Sequence, residues 1–269
     1  MIEARQLTKT FRDKKRGEIR AVDGVSFRCS PGRIYGLLGA NGAGKTTTLR
    51  MLATLIEPTS GTAVVAGYDV VREPEKVRCS VGFLSTATAL YARLSALEMV
   101  QYFGRLYGLS EETLRRRIDE IFARLEMNEF RDRRCDRLST GMKQKTSIAR
   151  TLVHDPPVMI FDEPTSGLDV MTSRTIIAFI RECRERGKTV IFSTHVMSEA
   201  EKLCDHIAII HGGRLLEEGT VADLRARHGP GDLEDIFVRV VDGLGGPGVA
   251  VSRSAESGSA DRGPAENQS

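Results

Sequence analysis

At 269 residues the chain has room for one large α/β domain or for a domain carrying an elaborated subdomain. Its 41% apolar residues suit a substantial core, and 39 basic against 36 acidic residues leave a net charge of only +3, so no nucleic-acid partner is expected. Five scattered cysteines without a CxxC pair argue against a disulfide framework or a zinc site and fit a reducing compartment. The charged N-terminus does not read as a signal peptide. No run of about 18 apolar residues occurs, so any membrane span is expected from a partner.

In chain order, residues 2–11 and 19–29 read as β segments around a charged turn, Arg12-Asp13-Lys14-Lys15-Arg16-Gly17. A short apolar strand at 33–38 precedes a glycine-rich turn and a helix over about 45–55. Strand-like runs recur at 63–65, 81–84, 158–161, 189–193 and 207–210. Helical patterns separate most of them, which predicts a mainly parallel sheet covered on both faces. Residues 88–154 break the alternation with three amphipathic helices, 97–106, 111–125 and 140–152, read as a helical subdomain inserted into the α/β core. The main domain is expected to span 1–228. A short extension, 229–243, follows, and the Gly-, Ser- and Pro-rich tail, 244–269, has too little apolar surface to order itself.

The segment Gly39-Ala40-Asn41-Gly42-Ala43-Gly44-Lys45-Thr46 matches G-x-x-x-x-G-K-[ST] and falls between a strand and a helix, where a phosphate loop belongs. Its glycines let successive N–H groups point into one nest around phosphate oxygens, and the helix N-terminus adds to the attraction. Gly39, Asn41, Gly42, Ala43, Gly44, Lys45, Thr46 and Thr47 are the candidate nucleotide contacts. Lys45 would neutralise the outer phosphates, and the Thr46 hydroxyl would reach Mg²⁺. Downstream, the apolar run Val158-Met159-Ile160-Phe161 ends in Asp162 and Glu163, at the carboxyl edge of a parallel sheet where such folds bind ligands. Asp162 is the second candidate for Mg²⁺. Glu163 is the candidate base for the attacking water, a role worth roughly 10²–10⁴-fold in rate. ATP and Mg²⁺ are the expected ligands.

Three further motifs follow in order: Leu138-Ser139-Thr140-Gly141-Met142-Lys143-Gln144-Lys145, Ser166-Gly167-Leu168-Asp169 and Ser193-Thr194-His195. On these residues, and over about residues 1–225, the chain resembles the ABC ATPase family. That resemblance implies a RecA-like P-loop NTPase core with an N-terminal antiparallel β subdomain and an inserted α-helical subdomain. It also implies that ATP bridges two copies, with Ser139 and the Gly141 N–H gripping the γ-phosphate held by the opposite one. Ser139 can cap its own helix as well. By the same resemblance His195 senses that phosphate and Asp169 supports the facing site. Phe11 either stacks on adenine or fills the hairpin core. The chain departs from the family pattern at Thr140 and Met142 within the signature, and at Thr86, where the family usually has a Gln that reaches Mg²⁺ and the attacking water.

Residues 84–94, 139–145 and 167–171 look most like the ATPase subunits of bacterial sodium-export and drug-export systems. The resemblance implies a homodimeric or heterodimeric motor at the cytoplasmic face of the membrane, beneath a separate permease. The alternative is a soluble ABC ATPase of translation or repair, whose usual second nucleotide domain or long coiled coil this chain lacks. Residues 87–94 are where such motors meet the permease, so Leu90, Tyr91 and Leu94 are docking candidates, with packing inside the helical subdomain as the other reading. Arg115-Arg116-Arg117 and the arginines of 131–137 read as solvated helix faces.

Overall fold

The computed structural model describes residues 1–13, 17–85 and 89–243. Lys14 to Arg16 of the first turn, Thr86 with Ala87 and Thr88, and the tail 244–269 lie outside the described residues. Strands β1 (Ile2–Asp13) and β2 (Gly17–Cys29) pair antiparallel, from Ile2 opposite Cys29 to Asp13 opposite Gly17. Along β1 the buried Ile2, Ala4 and Leu7 face inward beside polar residues that face water.

One expectation needs correcting here. The run at 63–65 does not join the parallel sheet. As part of β4 (Ser60–Val65) it lies antiparallel to β1, and β5 (Tyr68–Asp69) completes a sheet ordered β2-β1-β4-β5. The two-residue turn Ala66-Gly67, both at positive φ, returns the chain directly, and so short a link can only join antiparallel strands.

The second sheet has the order β10-β9-β3-β8-β7-β6. Strands β3 (Ile34–Leu38), β6 (Val81–Ser85), β7 (Val158–Asp162), β8 (Thr189–Thr194) and β9 (His206–His211) run parallel, and only β10 (Arg214–Gly219) is antiparallel. Every residue of β3, β7 and β8 is buried, the signature of strands covered on both faces. On one face, Leu37, Ile160 and Ile191 pack with α1 (Lys45–Leu52), α2 (Pro74–Ser80) and the antiparallel sheet. On the other, Phe161 and Phe192 share a core with α6 (Val170–Glu185) and the helical part.

That helical part lies between β6 and β7, with no strand among its described residues: α3 (Ala96–Leu106), α4 (Glu111–Arg124) and α5 (Thr140–Leu152), with 3-10 turns at Asn128–Phe130 and Cys135–Arg137. Ser95 starts α3 with a reciprocal capping box to Glu98, and Ser110 caps α4. Apolar residues at helical spacing, Leu114, Ile118, Ile121 and Phe122, bury one face of α4. Leu90 and Leu94 also pack against this core, as the second reading of those residues had it, whereas Tyr91 is 55% exposed and meets Tyr102 edge to face at 5.8 Å. Arg115 and Arg116 face solvent, but Arg117 departs from that expectation. Its guanidinium reaches back to the Leu152 and Val153 carbonyls at 3.1 and 3.5 Å and ties α4 to the end of α5. Past β8, helices α7 (Met197–Leu203), α8 (Val221–His228) and α9 (Leu233–Asp242) enclose a third apolar cluster with Leu38 and Ile209.

Candidate functional site

The chain leaves β3 at Leu38 and turns through the glycine-rich loop into α1. Two of its glycines answer to geometry. A Cβ on Gly39 would stand 2.4 Å from the Ile210 carbonyl oxygen, and one on Gly44, at φ 108°, would stand 2.6 Å from that of Ala21. Only a residue without a side chain fits this close backbone approach. No acidic residue occupies the first turn of α1, so its positive end is uncompensated. Asn41, Gly42, Gly44, Thr46 and Thr47 line a cavity of about 210 Å³ with Lys45, Glu163 and Ala21. Gly39 and Ala43 are buried behind it.

Lys45 is only 4% exposed. Its ammonium donates to the Gly39 and Ala40 carbonyls at 2.7 and 3.1 Å and lies 3.0 Å from Glu163 Oε1. Asp162 Oδ1 accepts from Thr46 Oγ1 at 3.0 Å and from Ser193 Oγ at 2.9 Å. Glu163 sits at φ 45°, a left-handed conformation costing roughly 1–2 kcal/mol for a residue other than glycine. Its N–H is held by Ser193, to the carbonyl at 3.2 Å and the hydroxyl at 3.1 Å. His195 Nδ1 comes within 3.2 Å of Glu163 Oε2 but off the hydrogen-bond direction, and Nδ1 has no hydrogen-bond partner among the described residues.

Lys45, Thr46, Asp162, Glu163 and His195, distant in sequence, therefore converge at the carboxyl edge of adjacent strands. Ser193 is the member that the sequence reading did not single out. Its place in the Ser-Thr-His run was visible, but its bridging of Asp162 to the Glu163 backbone required the β7–β8 register, where Asp162 lies opposite it. Glu199 is a second: its Oε2 accepts from Thr165 at 2.9 Å and Thr194 at 3.1 Å, pinning the loop after β7 to the end of β8.

The remaining candidates lie elsewhere. Ser139 caps α5, its hydroxyl accepting from the Met142 N–H at 3.3 Å, with Gly141 in the first helical turn. Asp169 caps α6, accepting from the Met171 and Thr172 N–H groups, each at 2.9 Å, and from the Thr172 hydroxyl at 2.6 Å. That hydroxyl, more than any other group, holds the carboxyl below the usual aspartate range. Neither residue, nor Gly141, lines the phosphate-loop cavity. Phe11, 42% exposed opposite Ile19, is not core; Lys9 Nζ lies 5.4 Å from its ring centre. It too lies outside that cavity.

A glycine nest opening a helix beside the buried Asp162 and the half-buried Glu163 at a strand end defines a P-loop nucleotide-binding protein. Residues 22–166 match the ABC transporter family model. The chain is 42% identical over 246 residues to the ABC transporter ATP-binding protein NatA of Bacillus subtilis, covering 91% of this chain and 100% of that one. It is 41% identical over 226 residues to the Nod factor export ATP-binding protein I of Paraburkholderia xenovorans, covering 83% and 74%. Among solved structures, the ATP-binding cassette MJ0796, in a dimeric post-hydrolysis state bound to ADP and Pi, superposes with a TM-score of 0.74 at 28% identity, covering 82% of this chain and 99% of that one. The chain belongs to the ABC transporter family as an ATP-binding, ATP-hydrolysing subunit.

Proposed function

We propose that two copies of this chain bind MgATP between them at the inner face of the membrane and drive export through a separate permease. The observation that carries the pairing is the incompleteness of the phosphate-loop cavity. Lys45, Thr46 and Glu163 line it, with Asp162 bonded to Thr46 and His195 beside Glu163, whereas Ser139 and Gly141 offer a second helix N-terminus that neither lines it nor contacts these residues in any bond given above. A second copy presenting that terminus would complete the set.

Export is supported by the naming of a close relative as an export ATP-binding protein. No described helix is long and apolar enough to cross a membrane, in keeping with a permease on another chain. Thr46 Oγ1 and Asp162 Oδ1, oxygen donors 3.0 Å apart, have the chemistry to hold Mg²⁺, which would offset phosphate charge. The loop N–H groups bind and orient the phosphates. Lys45 leaves Glu163 for the terminal phosphate, which frees Glu163 to orient a water and accept its proton on a carboxylate oxygen. His195 stands on the same carboxylate and reports whether the terminal phosphate is present. Phe11 offers an exposed ring for the adenine.

In Glu163→Gln, hydrolysis should fall by roughly 10²–10⁴-fold while ATP and magnesium produce a dimer stable on size exclusion. ATP-loaded monomers, or undiminished hydrolysis, would overturn the shared site. Affinity purification of the tagged chain from detergent-solubilised membranes tests the permease, and recovery of no membrane-spanning partner would count against the exporter reading.

A further inference from the structure

Glu199 lies in the first turn of α7, whose capping residue is Val196. A glutamate at this place in a helix ordinarily turns back to the N–H of the capping residue. Here the Val196 N–H donates instead to the Thr194 hydroxyl at 3.0 Å. The Glu199 carboxylate reaches away from its own helix, and a single oxygen, Oε2, accepts from the Thr165 hydroxyl at 2.9 Å and the Thr194 hydroxyl at 3.1 Å. Both threonines are buried, so a hydroxyl that lost this acceptor would not regain one freely from water.

The two threonines flank Glu163 and His195. Thr194 directly precedes His195, and its hydroxyl gives its proton to Glu199 while a lone pair takes the Val196 N–H. Both chain neighbours of His195 therefore hang on one hydroxyl. Thr165 lies two residues after Glu163, in a tight loop closed by bonds from the Ser166 N–H to the Glu163 carbonyl and from the Leu168 N–H to the Thr165 carbonyl, each at 3.2 Å. Glu163 keeps its φ of 45° only while its surroundings over-determine it. Ser193 holds its N–H from the side of β8, and Glu199 ties down the loop that follows it.

We propose that Glu199 is a positioning residue for hydrolysis: by clamping Thr165 and Thr194 on one oxygen, it sets the spacing of the Glu163 carboxylate and the His195 ring, 3.2 Å apart at Oε2 and Nδ1. The inference rests on the roles given above to Glu163 and His195 and adds the group that keeps them in register. Glu199 lies outside the phosphate-loop cavity, so the grip on the nucleotide does not pass through it. The rate does, because a misplacement of about 1 Å at the reacting groups can cost about 10²-fold. The clamp requires an acceptor oxygen at that point and no charge.

Steady-state MgATP hydrolysis by the full chain separates the clamp from a general structural role. Glu199→Ala should lower kcat roughly 10–100-fold and leave KM within about twofold. Glu199→Gln, whose amide oxygen can accept both hydroxyl protons, should keep kcat within about threefold of wild type. Glu199→Asp, charged but one methylene shorter, should lose as much as the alanine variant. The reverse order, with aspartate active and glutamine inactive, would show that the charge matters and overturn the clamp. Wild-type kcat in Glu199→Ala, or a loss carried by KM alone, would overturn it too. Should Glu199→Ala fail to fold, Thr165→Val and Thr194→Val remove the same bonds from the other side. Each should lower kcat with KM kept, and unchanged kcat in both refutes the inference. Glu163→Gln is assayed alongside: full hydrolysis there removes the base itself, whereas loss there with wild-type kcat in Glu199→Ala sinks only the clamp.

Discussion

Lowering the pH from 7 to 5 should remove about 2 kcal/mol of folding stability through His154 alone. The ring lies in the wall of a cavity between the end of α1, α3 and α5, stacked on Tyr107 with centroids 3.6 Å apart and planes 10° apart. Its Nε2 lies 3.3 Å from the Val81 carbonyl oxygen, which can only accept, so Nε2 carries the proton of the neutral ring. Nδ1 is buried and has no hydrogen-bond partner among the described residues, so a second proton there finds no acceptor among them. Burial, helped by the positive charges of Lys188 and Arg117, pushes the pKa down to about 4, with the Val81 bond and Asp155 opposing. Unfolded, the ring titrates near its ordinary value of about 6.5. Between these values the unfolded chain binds a proton that the folded chain refuses, so stability present above about pH 6.5 is lost as the pH falls towards 4. At pH 5 the unfolded ring is almost fully charged and the folded ring almost wholly neutral, and the difference comes to about 2 kcal/mol, against a few tenths at pH 7. Urea unfolding of wild type and His154→Gln at both pH values isolates the effect, since glutamine keeps an N–H for Val81 but does not titrate. Wild type should lose about 2 kcal/mol more than the variant between pH 7 and 5. Parallel losses would refute the buried neutral imidazole.

Three further outcomes follow from the packing. Gly44→Ala should fold but bind ATP roughly tenfold or more weakly by calorimetry, because the new Cβ must displace the Ala21 carbonyl and distort the nest. Unchanged affinity would show that the loop tolerates a side chain there. Ser193→Ala should lower kcat roughly 10–100-fold with little change in KM, since Ser193 acts by positioning Asp162 and Glu163; the conservative Ser193→Thr should recover part of the loss. Equal kcat in the alanine variant and wild type would remove that role. Phe122→Ala, fully buried where α4 meets the rest of the helical core, should destabilise the chain by roughly 3–5 kcal/mol in urea titrations, and a loss under about 1 kcal/mol would mean the site repacks.

The phosphate loop was legible in the sequence because its mechanism is local. Eight consecutive residues build the nest, and the strand before and helix after it are read from the same stretch. The fully buried strands β3, β7 and β8 were legible for a related reason: burial on both faces leaves an uninterrupted apolar run. β10, Arg-Leu-Leu-Glu-Glu-Gly, was not, since a half-exposed edge strand with charged residues resembles a loop in composition. β4 was read as a strand but placed in the wrong sheet, because pairing partners are set by which faces meet, and an apolar run does not encode that.

Residue chemistry at fixed spacing determined by itself that this chain grips a nucleotide tail, and in which order its motifs come, because hydrogen bonds within a loop and along a helix depend on near neighbours. Tertiary structure alone decided that Lys45 would lie against Glu163, that Ser193 would bridge the two acids, and that Arg150 would be buried with no carboxylate partner among the described residues. Those relations join residues from different strands and helices, and they exist only once apolar faces have packed and set the distances between polar groups.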